Sequence, residues 1–192
     1  MNYNELAEKA HSNAVKHGFW DKRFNNEHYL MLTISEVGEM VNADRKNRYA
    51  DKTTYRHKME AGKDLKYPPD TDIYRSYLPE RLFKDYIKDS VEDEMADIAI
   101  RLLDLSGALG IDFDKMKPCR YYRAFDKFSF TENAFALCKG LARDVIGIEK
   151  RIQFGLEYVR KWSEHLKIDL SWHINEKMKF NENRPEKHGK QY

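Results

Sequence analysis

Two helical stretches carry carboxylates where the surrounding residues leave almost no polar face to hold them. In the first, Glu36-Val37-Gly38-Glu39 lies among Leu30, Met31, Leu32, Ile34, Met40 and Val41, which at about 100° per residue cover most of the circumference. In the second, Glu94-Met95-Ala96-Asp97 lies among Val91, Ile98, Ala99, Ile100, Leu102, Leu103 and Leu105, leaving Glu94, Asp97, Arg101 and Asp104 as a narrow polar stripe. Residues three apart share a helix face, so each pattern aims its acids the same way. Two carboxylates about 4 Å apart repel by about 4 kcal/mol at an effective dielectric of about 20, and an uncompensated buried charge costs several more. Converging carboxylates therefore need cations. The hard cation that suits them is Mg²⁺, with Mn²⁺ as the alternative, because it takes one or two carboxylates and fills its shell with water and phosphate oxygens. The expectation is two helices packed side by side as a magnesium cradle for a phosphorylated substrate. The competing reading pairs the same acids with Arg45, Lys46 or Arg101.

The rest of the chain is helical in pattern. Asn4 to His17 reads as a helix with Asn4 as its cap and Gly18 as its exit. The following Phe19-Trp20 is either a platform on which a nucleobase stacks, through Trp20, or a plug in the core. The first acidic helix is predicted over about His28 to Asn47 and the second over about Ser90 to Leu109, with Ser90 at its start and Gly110 at its end. Residues 48–90 between them read as an insertion, tyrosine-rich, broken at Pro68-Pro69 and helical near Leu78 to Ile87. It is either a lid or a subunit contact. One long helix is predicted from Thr131, as cap, to Leu166, with a stripe that includes Phe135, Leu137, Leu141, Val145, Ile152, Leu156, Val159 and Trp162. A last helix runs from Asp169 to Phe180. No alternating strand pattern occurs, so the fold class is all-α, an elaborated helical bundle of a single domain over residues 1–192.

With 192 residues and a net charge of +2, the chain is long enough for one core and has no general pull towards nucleic acid or a membrane. Cys119 and Cys138 lack a metal-type spacing, no basic-then-apolar leader precedes the first helix, and no apolar run approaches about 20 residues. Those features lead to the expectation of a cytoplasmic protein with free thiols. Near the C-terminus, Lys177 and Asn181 share a helical face before Pro185 ends the helix, and Arg184, Lys187 and Lys190 follow. Ammonium and guanidinium donors are what a polyphosphate needs opposite its magnesium ions. A solvated basic tail is the alternative.

Taken together, Glu36-x-x-Glu39, Glu94-x-x-Asp97 and the late Lys177-Met178-x-x-Asn181-x-x-Arg184-Pro185 resemble the MazG-like, all-α nucleoside triphosphate pyrophosphohydrolase superfamily, which includes dCTP pyrophosphatases and dimeric dUTPases. The strings Ser35-Glu36-Val37-Gly38-Glu39-Met40 and Asp93-Glu94-Met95-Ala96-Asp97-Ile98-Ala99 look like its motif helices. The resemblance leaves about half the chain unmatched, including the insertion. It implies a MazG-like bundle in which Glu36, Glu39, Glu94 and Asp97 are catalytic magnesium ligands. It also implies hydrolysis of a nucleoside triphosphate to the monophosphate and pyrophosphate, with Lys177, Asn181, Arg184 and Lys190 on the phosphates. A homodimer or higher oligomer is implied as well. Against it stand a non-catalytic nucleotide-binding protein and a helical interaction module. A di-iron bundle is disfavoured, because it wants two Glu-x-x-His motifs and only Glu8 with His11 fits.

Overall fold

Caps and turn residues decide where each helix begins and ends. The computed structural model describes residues 1–64, 71–119 and 123–185, with side chains described outside 63–64 and 71–77. Among these residues the helices are α1 (Tyr3–Lys16), α2 (Asn26–Arg45), α3 (Lys52–Asp64), α4 (Thr71–Tyr86), α5 (Val91–Ala108), α6 (Phe130–Leu141), α7 (Ile148–His165) and α8 (Leu170–Glu182), and there is no strand. The chain is all-α.

Asn2, not Asn4, caps α1 by accepting from the Glu5 N–H. Asn4 reaches the segment after α5 instead: its amide donates to Asp112 and Asp114 at 3.2 and 3.1 Å, and its Oδ1 accepts from the Phe113 N–H at 2.9 Å. Asn25 caps α2 through the His28 N–H, which starts that helix two residues before its apolar pattern does. It stops at Arg45 because Asn47 takes a left-handed φ of 52°, a region Asn tolerates better than most residues. Ser90 caps α5 through the Asp93 N–H, and Asp169 caps α8 through the Trp172 N–H.

The long helix predicted from Thr131 to Leu166 is two helices. A capping box of Ser129 and Glu132, rather than Thr131, starts α6, and the chain leaves the helix at Ala142 and re-enters it after Gly147. The apolar spacing carries through the break because Leu137 and Leu141 of α6 and Ile152, Leu156, Val159 and Trp162 of α7 face the same core. Two residues of the predicted stripe do not: Phe135 is 65% exposed, and Val145, in the connection, is 77% exposed.

The insertion is largely a helical hairpin. α3 and α4 pack on each other, and the helix predicted near Leu78 is the second half of α4, which contains Pro79. The Pro68-Pro69 pair lies outside the described residues. At the centre is α5, packed against α1, α2, α7 and α8. Its Val91, Met95, Ile98, Leu102 and Leu103 are fully buried, each contributing about 1.5–3 kcal/mol relative to exposure. A smaller core of Tyr55, Leu82, Phe83, Ile87 and Phe180 joins the hairpin to α8. No described helix is long and apolar enough to cross a membrane.

Candidate functional site

Helix α5 must expose its polar stripe somewhere, and α2 and α8 supply the opposite walls. Glu94, Asp97, Arg101 and Asp104 follow one another at steps of three and four, so the stripe climbs about 15 Å at 1.5 Å per residue. The matching stripe of α2 runs through Tyr29, Leu32, Glu36 and Glu39. Ion pairing of Arg101 with Glu36, and the approach of Glu94 to Glu36 and Glu39, set the two helices antiparallel. The acidic ends therefore meet, and Tyr29 lies towards Asp104.

At the acidic end, carboxylate oxygens of Glu36, Glu39 and Glu94 all lie within 4.8 Å of one another, and so do those of Asp89, Asp93 and Glu94. Glu94 belongs to both groups. Only 3% of it is exposed, and its Oε2 is buried with no hydrogen-bond partner. Burial, reinforced by the charges of Asp97 and Asp93, pushes its carboxyl up to about 9. Burial also raises Glu36, against the pull of Arg101, whose Nε donates to Glu36 Oε1 at 2.5 Å.

The fourth predicted ligand, Asp97, is beside this cluster and carries its own cation. Lys177 Nζ lies 2.7 Å from both Asp97 and Asp93. Burial alone would lower the pKa of that ammonium, but Asp97 and Asp93 outweigh it and raise it. Asp93, buried and with its Oδ1 unpartnered, is itself pushed up to about 6 by burial. Lys177 thus locks α8 to α5 and does not face an open cavity. The sequence pattern includes Asp93 in the second motif string without giving it a role; its place among these charges follows from which turn of α5 meets α8.

Asn181 and Arg184 stand elsewhere on the rim. They join Ala10, Asn13, Phe19, Phe24, His28, Tyr29, Glu36, Asp97, Arg101 and Asp104 around a pocket that is partly open to solvent. Asn181 Oδ1 is buried without a partner, and Arg184 extends over the Phe180 ring. The aromatic wall is layered: Phe24 stacks on His28 at 4.1 Å and Tyr29 on Trp20 at 4.5 Å. Trp20 is the outer member of that stack, behind Tyr29, and its indole N–H donates to Asp104 at 2.9 Å. The rings that reach the pocket are those of Phe19, Phe24, His28 and Tyr29. The spacing of Phe24 and His28, four apart at the start of α2, is the signal from which this wall could have been read.

On the far side of the cluster, Glu39 and Glu94 line a second hollow with Lys46, Arg48 and Asp89. The carboxylates thus lie between an aromatic pocket and a hollow of mixed charge, whose cations are Lys46 and Arg48. Lys190 lies outside the described residues.

The residues fit a divalent cation. Burial and neighbouring acids hold the unpartnered Glu94 carboxyl in its protonated form, a divalent cation would favour its ionised form, and Glu36, Glu39 and Glu94 offer that cation three oxygens within reach of each other. No protein-family model, curated protein or solved structure matches the chain.

Proposed function

We propose that this protein is a Mg²⁺-dependent nucleoside triphosphate pyrophosphohydrolase, converting an NTP or dNTP to the monophosphate and pyrophosphate. The reading rests on one observation above all: Glu94 has a buried, unpartnered oxygen at a point where Glu36 and Glu39 converge, between an aromatic pocket and a hollow that Lys46 and Arg48 line together with acids. Glu36, Glu39 and Glu94 would hold the metal, with Asp97 poised beside them on Lys177. When bound, Mg²⁺, or Mn²⁺ in its place, neutralises phosphate oxygens and increases the acidity of water.

The chain's own groups do the rest. The aromatic wall takes the base, so that the phosphates run towards the acids. Arg101, Asn181 and Arg184 offer donors to the phosphate nearest the nucleoside, and Lys46 and Arg48 to the departing pyrophosphate. A carboxylate of the cluster accepts a proton from water as its oxygen bonds to phosphorus and the phosphoanhydride bond breaks, with the electron pair leaving on pyrophosphate. A homodimer or higher assembly belongs to the same reading, by resemblance.

A second reading has its own support. Arg101 on Glu36 and Lys177 on Asp97 already neutralise two of the acids internally, as a non-catalytic nucleotide-binding site would allow. A panel of nucleoside triphosphates with Mg²⁺, assayed separately for pyrophosphate and orthophosphate, decides between them: release of pyrophosphate alone supports the enzyme, and binding without release supports the sensor. In Glu94→Gln, turnover should fall by at least about 100-fold. The thermal stabilisation that Mg²⁺ gives the wild type should also vanish, while the metal-free variant unfolds at no lower temperature. A wild type indifferent to Mg²⁺ would remove the metal from this site.

A further inference from the structure

The base end of the pocket has a chemical polarity that the reaction itself does not require. Asp104 sits there, two turns along α5 from Asp97 and so about 10 Å away, roughly the span of a nucleoside from its 5′ phosphate to the edge of its base. Its side chain is 18% exposed and lines the pocket. The Trp20 indole N–H and the His11 ring Nδ1 both meet the same oxygen, Oδ1, each at 2.9 Å. An indole N–H can only donate, so Oδ1 is an acceptor whose position is fixed. Among the described residues Oδ2 accepts nothing. Burial raises the Asp104 pKa, while the hydrogen bonds from His11 and Trp20 and the charges of His11 and Arg101 hold it down. Beside it Asn13 lines the same wall, its Oδ1 buried without a partner. The neighbouring surfaces are rings: Phe19, Phe24, His28 and Tyr29.

We infer that this pocket selects nucleotides whose base carries its exocyclic amino group where cytosine (C4) and adenine (C6) do, with Asp104 Oδ2 accepting from that amino group and the Asn13 amide meeting the adjoining ring edge. The rings supply stacking that any base can use, so they set affinity without choosing. The choice comes from the carboxylate. An amino group opposite it makes a charge-assisted hydrogen bond, whereas a keto oxygen in the same place faces a like-signed acceptor. Cytosine and adenine fit, and uracil, thymine and hypoxanthine do not. Sites that hydrogen-bond a substrate N–H reject the analogue lacking it by large factors because a buried group is then left unpaired. Partial exposure reduces the factor here to about 100.

The inference rests on the proposed function for its substrate, and the test separates the two. Specificity constants with Mg²⁺ are compared within the near-isosteric pairs dCTP and dUTP, and dATP and dITP, for the wild type and Asp104→Asn. In parallel, binding of CMP, UMP, AMP and IMP is measured by calorimetry without metal. The amino member of each pair should be favoured by about 100-fold in turnover and at least about tenfold in binding. In Asp104→Asn, whose amide can donate, the ratio should shrink to within a few-fold or reverse. A wild type that treats each pair alike, or prefers the keto member, overturns the inference, and so does a ratio that Asp104→Asn leaves unchanged. An amino preference in the binding measurements with no pyrophosphate released from any triphosphate keeps the base assignment and removes the hydrolase. Should Asp104→Asn fail to fold, the wild-type ratios alone decide for or against the base assignment.

Discussion

Lys177 is the residue whose role differs most between pattern and structure. Its spacing to Asn181 and Arg184 groups it with cations that face phosphate, yet it is 4% exposed and held between Asp93 and Asp97. A buried cation between two acids matters chiefly through what its loss leaves behind, since the acids cannot be solvated in its place. Lys177→Met should therefore lower unfolding free energy by about 3–5 kcal/mol in urea titration, and adding Asp93→Asn should restore part of it. A variant as stable as the wild type would return Lys177 to the phosphates. His173, one turn earlier on α8, makes the pH dependence. It is buried with Nδ1 unpartnered, and burial, aided by the charge of Lys52 against those of Asp169 and Glu176, lowers its pKa from 6.5 to about 4. The folded state then binds its proton less readily than the unfolded chain. Stability from this group is complete above about 6.5 and is lost as pH falls to about 4, by at most about 3 kcal/mol. Asp93, raised to about 6, acts in the opposite sense over an overlapping range. The readout is therefore the difference in unfolding free energy between wild type and His173→Phe from pH 4 to 7. It should change across that window, and a flat difference would mean that His173 takes up its proton as readily in the fold as in the unfolded chain.

Between elements, closeness of approach decides what the site can be. Gly107 lies where α5 meets α1: a Cβ there would stand 2.6 Å from His11 Cβ and 2.8 Å from the Ala7 carbonyl oxygen. Backbone cannot yield as a side-chain tip can, so Gly107→Ala should push α1 away and cost about 1–3 kcal/mol, loosening the contact of His11 with Asp104. Gly38, between the acids of α2, has open space where its Cβ would go. Gly38→Ala should be neutral or stabilise by about 0.5–1 kcal/mol through helix propensity, and parallel thermal melts of the two variants check the contrast. These examples mark what a linear pattern can carry. The apolar arcs around Glu36 and Glu94 foretold two buried acidic helices because a three-residue step on a helix is a local fact. They could not foretell that Lys177 would neutralise Asp97, nor that Asn4 would cap Phe113 rather than α1, because those partners come from other elements. The break between α6 and α7 was hidden for a related reason. Both helices face one core, so the apolar steps continue across Ala142 to Gly147 while the backbone turns, and only the capping box at Ser129 marks where α6 starts.

For the molecule as a whole, the main question is how the α3–α4 hairpin is tied to the bundle. It stands on its own small core, with Phe83 stacked on Phe180 at 4.5 Å and Tyr55 donating to Glu176 at 2.8 Å. The bundle core is far larger and centres on α5. Regions with fewer buried apolar contacts open at lower free energy than the core, so the hairpin should exchange its amides through its own partial opening. Helix α8 belongs to both parts. It gives Phe180 to the hairpin and Lys177 to the acids, and Lys177 Nζ lies 5.9 Å from the Phe83 ring. Phe83→Ala removes the stack and leaves a cavity worth about 3–5 kcal/mol locally. Its first effect should be loss of amide protection through α3 and α4, with α5 and α7 still as slow as in the wild type. Its second should be a higher KM for the triphosphate with kcat less affected, because Asn181 and Arg184 at the end of α8 lose their backing while the acids of α2 and α5 do not. Hydrogen exchange read by mass spectrometry, alongside steady-state kinetics, tests both effects. If α5 loses protection together with the hairpin, the two cores melt as one unit, and α8 does not act as a strut between them.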